Sequence, residues 1–290
     1  MMITHRFAAM GTQFEFVVEA TPQAAAQPIA DAEGVVHALE ARLSRFRPDS
    51  ELSLLNRTRH AEVGEDLYVL TQLALDARED SGGRFDPTIG TAVAAAGYDH
   101  SFDDMPADVG PTRQPVRHTR GVAIDGASGT ITLDEHVALD LGGIAKGYAA
   151  EMAAEILADA GPCLVNAGGD IALRGAPTSG TWTIGVETPD GDLTLALRDG
   201  AVATSGRDRR NWCSEGRLQH HIIDPATDQP AQSDVLRITV VAGNAVEAET
   251  HATALFLVGS ADAFDEAKAL GLTAIVVTDS GRTLITGVAA

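Results

Sequence analysis

Apolar and polar residues alternate from His5 to Glu19, with Phe14, Phe16 and Val18 on one side. A period of two predicts a strand with one buried face. The period then lengthens. Pro22 to Phe46 is alanine-rich and carries Val35, Leu39 and Leu43 at helical spacing. A second helix is expected from a cap at Asp66 through Asp80, stopped by Ser81, Gly82 and Gly83. Residues 99 to 120 are polar and proline-bearing and read as a loop. Val122 to Gly126 and Thr130 to Leu133 read as a hairpin. Ile144, Tyr148, Met152 and Ile156 recur every four residues and predict a helix from about Ile144 to Ala160. Short strands fill much of 163 to 241. Helices near Ala245 to Val258 and Ala261 to Leu270 precede two strands, Ala274 to Thr278 and Arg282 to Thr286. Strands and helices mix without regular βαβ alternation, so the expected class is α+β and not a doubly wound sheet.

Composition narrows the function. The 290 residues suffice for one large two-lobed domain or two ordinary ones. With 44% hydrophobic and 21% charged residues the chain is of the soluble, globular class. A net charge of −20 argues against nucleic acid, whose phosphates the overall field would repel. A polyanionic ligand is compatible only where glycine loops, cations or a metal reverse that field locally. Two cysteines, Cys163 and Cys213, do not make an exported disulfide framework. No apolar run reaches membrane-spanning length, and Met1 to Phe7 lacks the pattern of a signal peptide, so the expected location is cytoplasmic. Of 21 basic residues only Lys146 and Lys268 are lysine, which singles out Lys146 in its glycine-rich setting.

Five clusters carry candidate chemistry. Asp140-Leu-Gly-Gly-Ile-Ala-Lys146-Gly-Tyr148 places glycines at a helix start, where exposed amides and the helix dipole suit a phosphate. Lys146 would add a full charge, and Asp140 could accept hydrogen bonds from a sugar or a ring. Asn166-Ala-Gly-Gly169-Asp170 follows a short apolar strand; alone, such a turn is most often only a turn. Thr204-Ser205-Gly-Arg207 offers hydroxyls and amides to phosphate oxygens, and His220-His221-Ile-Ile223-Asp224-Pro225 offers an imidazole for proton transfer or a histidine packed in a strand.

Glu249 and Thr253 fall four apart on one helix face. They are hard oxygen donors suited to Mg²⁺, and equally the residues of a solvated face. His251 points to another side of that helix and reads as structural. Gly83 to Gly90, around Phe85-Asp86-Pro-Thr88, has the residues of a rigid turn whose role is open between structure and function.

Together these motifs resemble the FAD:protein FMN transferase family, also called ApbE. The matches run in order: Ala9-Met10-Gly11-Thr12, Ser44-Arg-Phe46 with Asp49-Ser50-Glu51 and Asn56, Phe85 to Thr88, Asp140 to Tyr148, Gly168-Gly169-Asp170, Thr204-Ser205-Gly206, His221 to Pro225, and Ala248-Glu249 with Thr253. The resemblance implies a single two-lobed α+β domain over residues 1–290, with FAD in a cleft between lobes. It implies that Met10 and Phe46 flank the isoalloxazine, that Ala96, Gly97, Tyr98 and Ile223 line the flavin pocket, and that Asp140, Gly142, Lys146, Gly169, Asp170, Thr204 and Ser205 belong to the dinucleotide site. A backbone carbonyl at Gly143 would join Glu249 and Thr253 around Mg²⁺, and His221 would act at the flavin as general base. Three positions depart from the family's habit: Glu249 stands for a usual aspartate, Ala96 for a frequent bulky aromatic and Phe46 for a frequent tyrosine.

The reaction so implied is Mg²⁺-dependent transfer of FMN from FAD to a serine or threonine of an acceptor flavoprotein, releasing AMP. Two other classes share the residues: a Mg²⁺-dependent FAD pyrophosphatase and a non-catalytic FAD-binding carrier.

Overall fold

A computed structural model describes residues 1–106, 108–110, 112 and 121–287. In chain order its first half contains β1 (Met2–Ala9), β2 (Thr12–Glu19), α1 (Pro22–Leu43), α2 (Glu51–Thr58), β3 (His60–Glu62), α3 (Glu65–Asp80), α4 (Gly90–Ala95), β4 (Val122–Asp125) and β5 (Thr130–Leu133). There follow α5 (Ala145–Ala158), β6 (Cys163–Ala167), β7 (Asp170–Arg174), β8 (Trp182–Val186), β9 (Leu193–Leu197), β10 (Gly200–Gly206), β11 (Asn211–Ser214), β12 (Arg217–His220), β13 (Ile223–Asp224) and β14 (Gln229–Pro230). The chain closes with β15 (Val235–Ala242), α6 (Ala245–Phe256), α7 (Ser260–Ala269), β16 (Thr273–Thr278) and β17 (Thr283–Thr286). No helix among the described residues is long and apolar enough to cross a membrane.

The chain divides into two compact units built from interleaved segments. The first comprises Met1–Ala38, Ile144–Gly206 and Ser233–Ala290. Its frame is an eight-stranded sheet in the order β1-β2-β6-β7-β10-β15-β16-β17, antiparallel throughout. Phe14, Phe16 and Val18 are fully buried, as their period of two requires. Helix α5 packs on β6 and β7, α6 on β10 and β15, and α7 on β16, so the apolar faces of sheet and helices close one core.

Two expectations need correction. The alternation from His5 to Glu19 is a hairpin and not one strand: β1 and β2 pair from Met2↔Glu19 to Ala9↔Thr12 around a Met10-Gly11 turn. Both turn residues have positive φ, 51° and 64°, which is what a two-residue hairpin turn demands. Glycine meets that demand without strain and methionine does not. In the hydrophobic pattern the turn shows only as a change of phase, from inward odd positions in β1 to inward even positions in β2. The cap of α3 is Gly64 and not Asp66. Gly64 is extended and donates its N–H to Glu51 Oε2 at 2.9 Å, while Asp66 lies in the first turn, where a carboxylate suits the helix dipole.

The second unit comprises Leu39–Gly143 and Arg207–Gln232. It holds a three-stranded sheet, β3-β5-β4, two small hairpins, β11–β12 and β13–β14, and helices α2, α3 and α4. Helices α2 and α4 were not expected from periodicity. Eight and six residues are too few to display it, although Ser50 caps α2 by accepting the Ser53 N–H at 3.0 Å. Ala92, Val93, Ala96, Tyr98, Trp212 and Ile223 form one buried cluster and so tie the unit's two segments together. The expected loop at 99–120 lies partly outside the described residues; its described part includes one turn of 3₁₀ helix at Phe102–Asp104.

Candidate functional site

In the first unit the chemistry gathers where α5 begins. Lys146, in its first turn, donates to both Asp170 and Glu249. Asp170 opens β7, immediately after the Gly168-Gly169 turn from β6; both glycines have positive φ, 69° and 110°, and Gly169 is anchored by its N–H to Asn166 Oδ1 at 2.8 Å. Glu249 lies at the middle of α6 and also accepts the Gly147 N–H at 2.8 Å. That amide is one of the orphan donors of the first turn of α5, which has no side-chain cap of its own. A Cβ at Gly147 would lie 2.6 Å from the Ala245 carbonyl oxygen and 2.9 Å from Glu249 Oε2. Glycine is therefore what lets α6 come close enough for its carboxylate to reach α5.

Burial decides the electrostatics of this set. Asp170 and Glu249 are 4% and 3% exposed. Burial pushes the Glu249 carboxyl up to about 7, against the lowering effect of the Lys146 charge and with further upward pressure from Asp170. For Lys146 burial favours the neutral amine, but the two carboxylates outweigh it and raise its pKa. One buried cation thus faces two buried carboxyl groups. One turn beyond Glu249, the Thr253 hydroxyl hydrogen-bonds Ser205 Oγ at 3.1 Å, and beside it in β10 the Thr204 hydroxyl pairs with that of Thr239 at 2.9 Å.

Among the described residues no three His, Cys, Asp or Glu side chains are grouped to hold a metal. Mg²⁺ does not need such a cage. It takes one or two carboxylates and fills its shell with water and substrate phosphate. The surplus buried negative charge of Asp170 and Glu249 with the Thr253 hydroxyl is a fitting donor set for it.

In the second unit Asp140 is held on all sides. Its N–H donates to the Pro87 carbonyl at 2.8 Å, its Oδ1 accepts the Gly142 N–H at 2.7 Å, and its Oδ2 lies 3.0 Å from Arg45 Nε. The preceding Leu139 is bonded both ways by the Asn56 amide, at 2.9 and 2.7 Å. In the Asp86-Pro-Thr88 turn Asp86 Oδ1 accepts both the N–H and the hydroxyl of Thr88, at 2.8 and 2.7 Å.

Phe46 and Tyr98 are 5.5 Å apart between ring centroids, and Tyr98 and Trp212 5.4 Å. Ala96, Tyr98 and Ile223 are buried with Trp212, whose Nε1–H donates to the Ala96 carbonyl at 3.0 Å. Gly97 has φ 99° and lies against Val109 and Trp212, with no room for a Cβ. His221 is half-buried just after β12, with Nδ1 3.3 Å from the Arg210 carbonyl oxygen. A carbonyl only accepts, so Nδ1 is the donor in this contact. His220 is buried, bonded through Nε2 to the Ala231 carbonyl at 3.0 Å. Its pKa is lowered by burial first, against that hydrogen bond, with the Arg207 charge adding to the lowering.

Of the expected residues, Lys146, Asp170 and Glu249 form one bonded set, and Ser205 and Thr253 another. Phe46, Tyr98, Ala96 and Ile223 gather in the second unit, as does Asp140. Met10 and Gly169 are turn residues outside the bonded sets; Met10 is a rare non-glycine residue with positive φ. Arg45 and Gly147 lay inside matched motifs without a role of their own, and Trp212 was not singled out. A glycine inside a helix pattern was a usable signal for Gly147.

The fold is that of the flavin transferases. The ApbE protein of Thermotoga maritima superposes with a TM-score of 0.85 at 28% identity, over 99% of this chain and 97% of that one. The flavin transferase ApbE of Vibrio cholerae superposes with a TM-score of 0.82 at 25% identity, with the same coverage. In sequence, the FAD:protein FMN transferase of Treponema pallidum is 34% identical over 243 residues, 75% of this chain and 67% of that one. The chain belongs to the ApbE family, whose profile matches residues 10–276.

Proposed function

We propose that this chain moves the FMN half of FAD onto a serine or threonine hydroxyl of an acceptor protein, with Mg²⁺ and with release of AMP, its two units acting as one domain. The observation that supports this reading best is the buried Lys146, Asp170 and Glu249 set at the first turn of α5. It joins a cation, a surplus of carboxylate and helix N–H groups, which is the chemistry a metal-bound pyrophosphate requires.

Glu249, Thr253 and a carbonyl of the glycine turn before α5, at Gly143, would hold the metal. When bound, Mg²⁺ supplies charge neutralisation to the pyrophosphate. Two of the three Lys146 N–H donors go to Asp170 and Glu249, which leaves the third for a phosphate oxygen. Gly142, Gly169, Thr204 and Ser205 would add amides and hydroxyls for the dinucleotide. Phe46, with Met10, would stack on the isoalloxazine; Ala96, Gly97, Tyr98 and Ile223 would shape its pocket. His221 Nε2 takes the proton as the acceptor oxygen attacks the FMN-side phosphorus. That P–O bond forms as the bridging P–O bond breaks, and AMP departs with the bridging oxygen. The flavin is a handle, and no redox step is required.

The test is incubation of the purified chain with FAD, Mg²⁺ and a candidate acceptor. Denatured products are then read by flavin fluorescence and by acceptor mass. FMN covalently on the acceptor, with AMP in equal amount, supports transfer. Free FMN with AMP would make the chain a pyrophosphatase, and unchanged FAD bound to folded protein a carrier.

A further inference from the structure

Arg45 contacts two aromatic residues of the expected flavin site, Phe46 and Tyr98, and the carboxylate of Asp140. Its Nε lies 3.0 Å from Asp140 Oδ2, and its Nη1 donates to the Tyr98 carbonyl oxygen at 2.7 Å. Its guanidinium carbon is 4.1 Å from the centroid of the Phe46 ring and 4.6 Å from that of Tyr98. The guanidinium carbon therefore lies within cation–π range of both rings. The side chain is only 13% exposed. Its Nη2 is buried and, among the described residues, has no hydrogen-bond partner, which opposes stability and is the kind of exception found at functional sites. A surface arginine serving solubility would have none of these features. Phe46, by contrast, is 37% exposed, so one part of its ring stays open while the cation packs on it.

We propose that Arg45 is a positioning residue of the flavin site: it fixes Tyr98 and Phe46 in the arrangement that receives the isoalloxazine, and ties them to Asp140 of the dinucleotide site. The proposal rests on the reading that FAD is the substrate. Lysine cannot replace arginine here. It lacks the planar fork that bonds a carboxylate and a carbonyl while stacking on two rings. The flavin handle is held alike in the ground and transition states, so losing its alignment weakens FAD binding and leaves the chemical step intact.

The experiment compares Arg45→Lys and Arg45→Met with the parent chain. FAD affinity is read from quenching of flavin fluorescence, and KM for FAD and kcat from transfer to the acceptor. Arg45→Lys keeps the charge and the aliphatic stem and should fold. It is expected to raise KM for FAD about tenfold, equivalent to about 1.4 kcal/mol, with kcat close to the parent value. Arg45→Met should raise it further and leave bound flavin less quenched. Parent-like KM and quenching in Arg45→Lys overturn the proposal. So does a loss confined to kcat, because general structural damage removes active molecules without changing the KM of the survivors. A parent chain that does not quench FAD fails one step earlier and overturns the FAD reading itself.

Discussion

Two adjacent histidines have opposite fates. His221 follows the last residue of β12, is half-buried, and donates from Nδ1 to the Arg210 carbonyl. His221→Ala deletes the proposed base and none of the residues assigned to metal or phosphate. Transfer should fall at least hundredfold, at the low end of the roughly 10²–10⁴-fold that general bases supply, while FAD still binds. Retained turnover in this variant would move proton transfer to another group. His220 is buried and held neutral, with its pKa below the ordinary 6.5. The sign follows from linkage. Above about 6.5 both folded and unfolded chains hold a neutral imidazole there. Below it the unfolded chain takes up a proton that the folded chain refuses, so stability is lost as pH falls toward the depressed folded value. His220→Gln keeps a donor for the Ala231 carbonyl and removes the titration. Its stability relative to the parent should therefore improve below pH 6.5, by up to about 1.4 kcal/mol per pH unit, with activity largely kept. Urea midpoints for both proteins from pH 7.5 to 5 check this; parallel curves would remove His220 from the acid limb.

Helices α5 and α6 lock each other at both ends of their contact. Glu249 of α6 accepts the Gly147 N–H of α5 at 2.8 Å, and Glu151 of α5 accepts the Ala245 N–H at the start of α6 at 2.5 Å. Each helix supplies the carboxylate that satisfies an orphan donor of the other. Gly147→Ala tests how much that closeness matters. In an ordinary helix interior this change stabilises by about 1 kcal/mol. Here the added methyl meets the Ala245 carbonyl oxygen at 2.6 Å, a backbone atom that cannot swing aside. The expected net result is a loss of about 1–3 kcal/mol, with Glu249 displaced and transfer impaired in proportion. A stabilised and fully active variant would mean that the two helices separate freely. The sequence carried α5 and α6 by periodicity and Lys146 and Glu249 by motif. What it did not carry was their pairing: Lys146 and Glu249 are over a hundred residues apart, and no local pattern encodes which carboxylate a buried lysine meets. Met10 was legible as a motif residue; its turn showed only as a change of phase, the inward positions being Ile3, His5, Phe7 and Ala9 in β1 and Phe14, Phe16 and Val18 in β2.

At the scale of the molecule, the two-unit division left no trace in composition. Leu39–Gly143 and Arg207–Gln232 join through packing of Tyr98 on Trp212, a contact between distant segments that appears only on folding. Net charge, in contrast, was legible at once and has a consequence for the proposed substrate. FAD is anionic and must approach a chain of net charge −20. At low salt the Debye length is about 30 Å and the whole field reaches the ligand; at physiological salt it is about 8 Å and only nearby charges count. Close to their targets Arg45 and Lys146 are already neutralised by Asp140, Asp170 and Glu249, so they offer little long-range attraction. The association rate for FAD should therefore rise as NaCl goes from 0.01 to 0.15 M, the reverse of what cationic phosphate-binding surfaces show. Substituting Mg²⁺ for Na⁺ at equal ionic strength should raise it further, because a divalent ion at the proposed Glu249 and Thr253 site would add local positive charge as well as screening. Stopped-flow quenching of flavin fluorescence measures both effects. An association rate that falls with salt would show that unneutralised arginines, not the net charge, govern the approach of FAD.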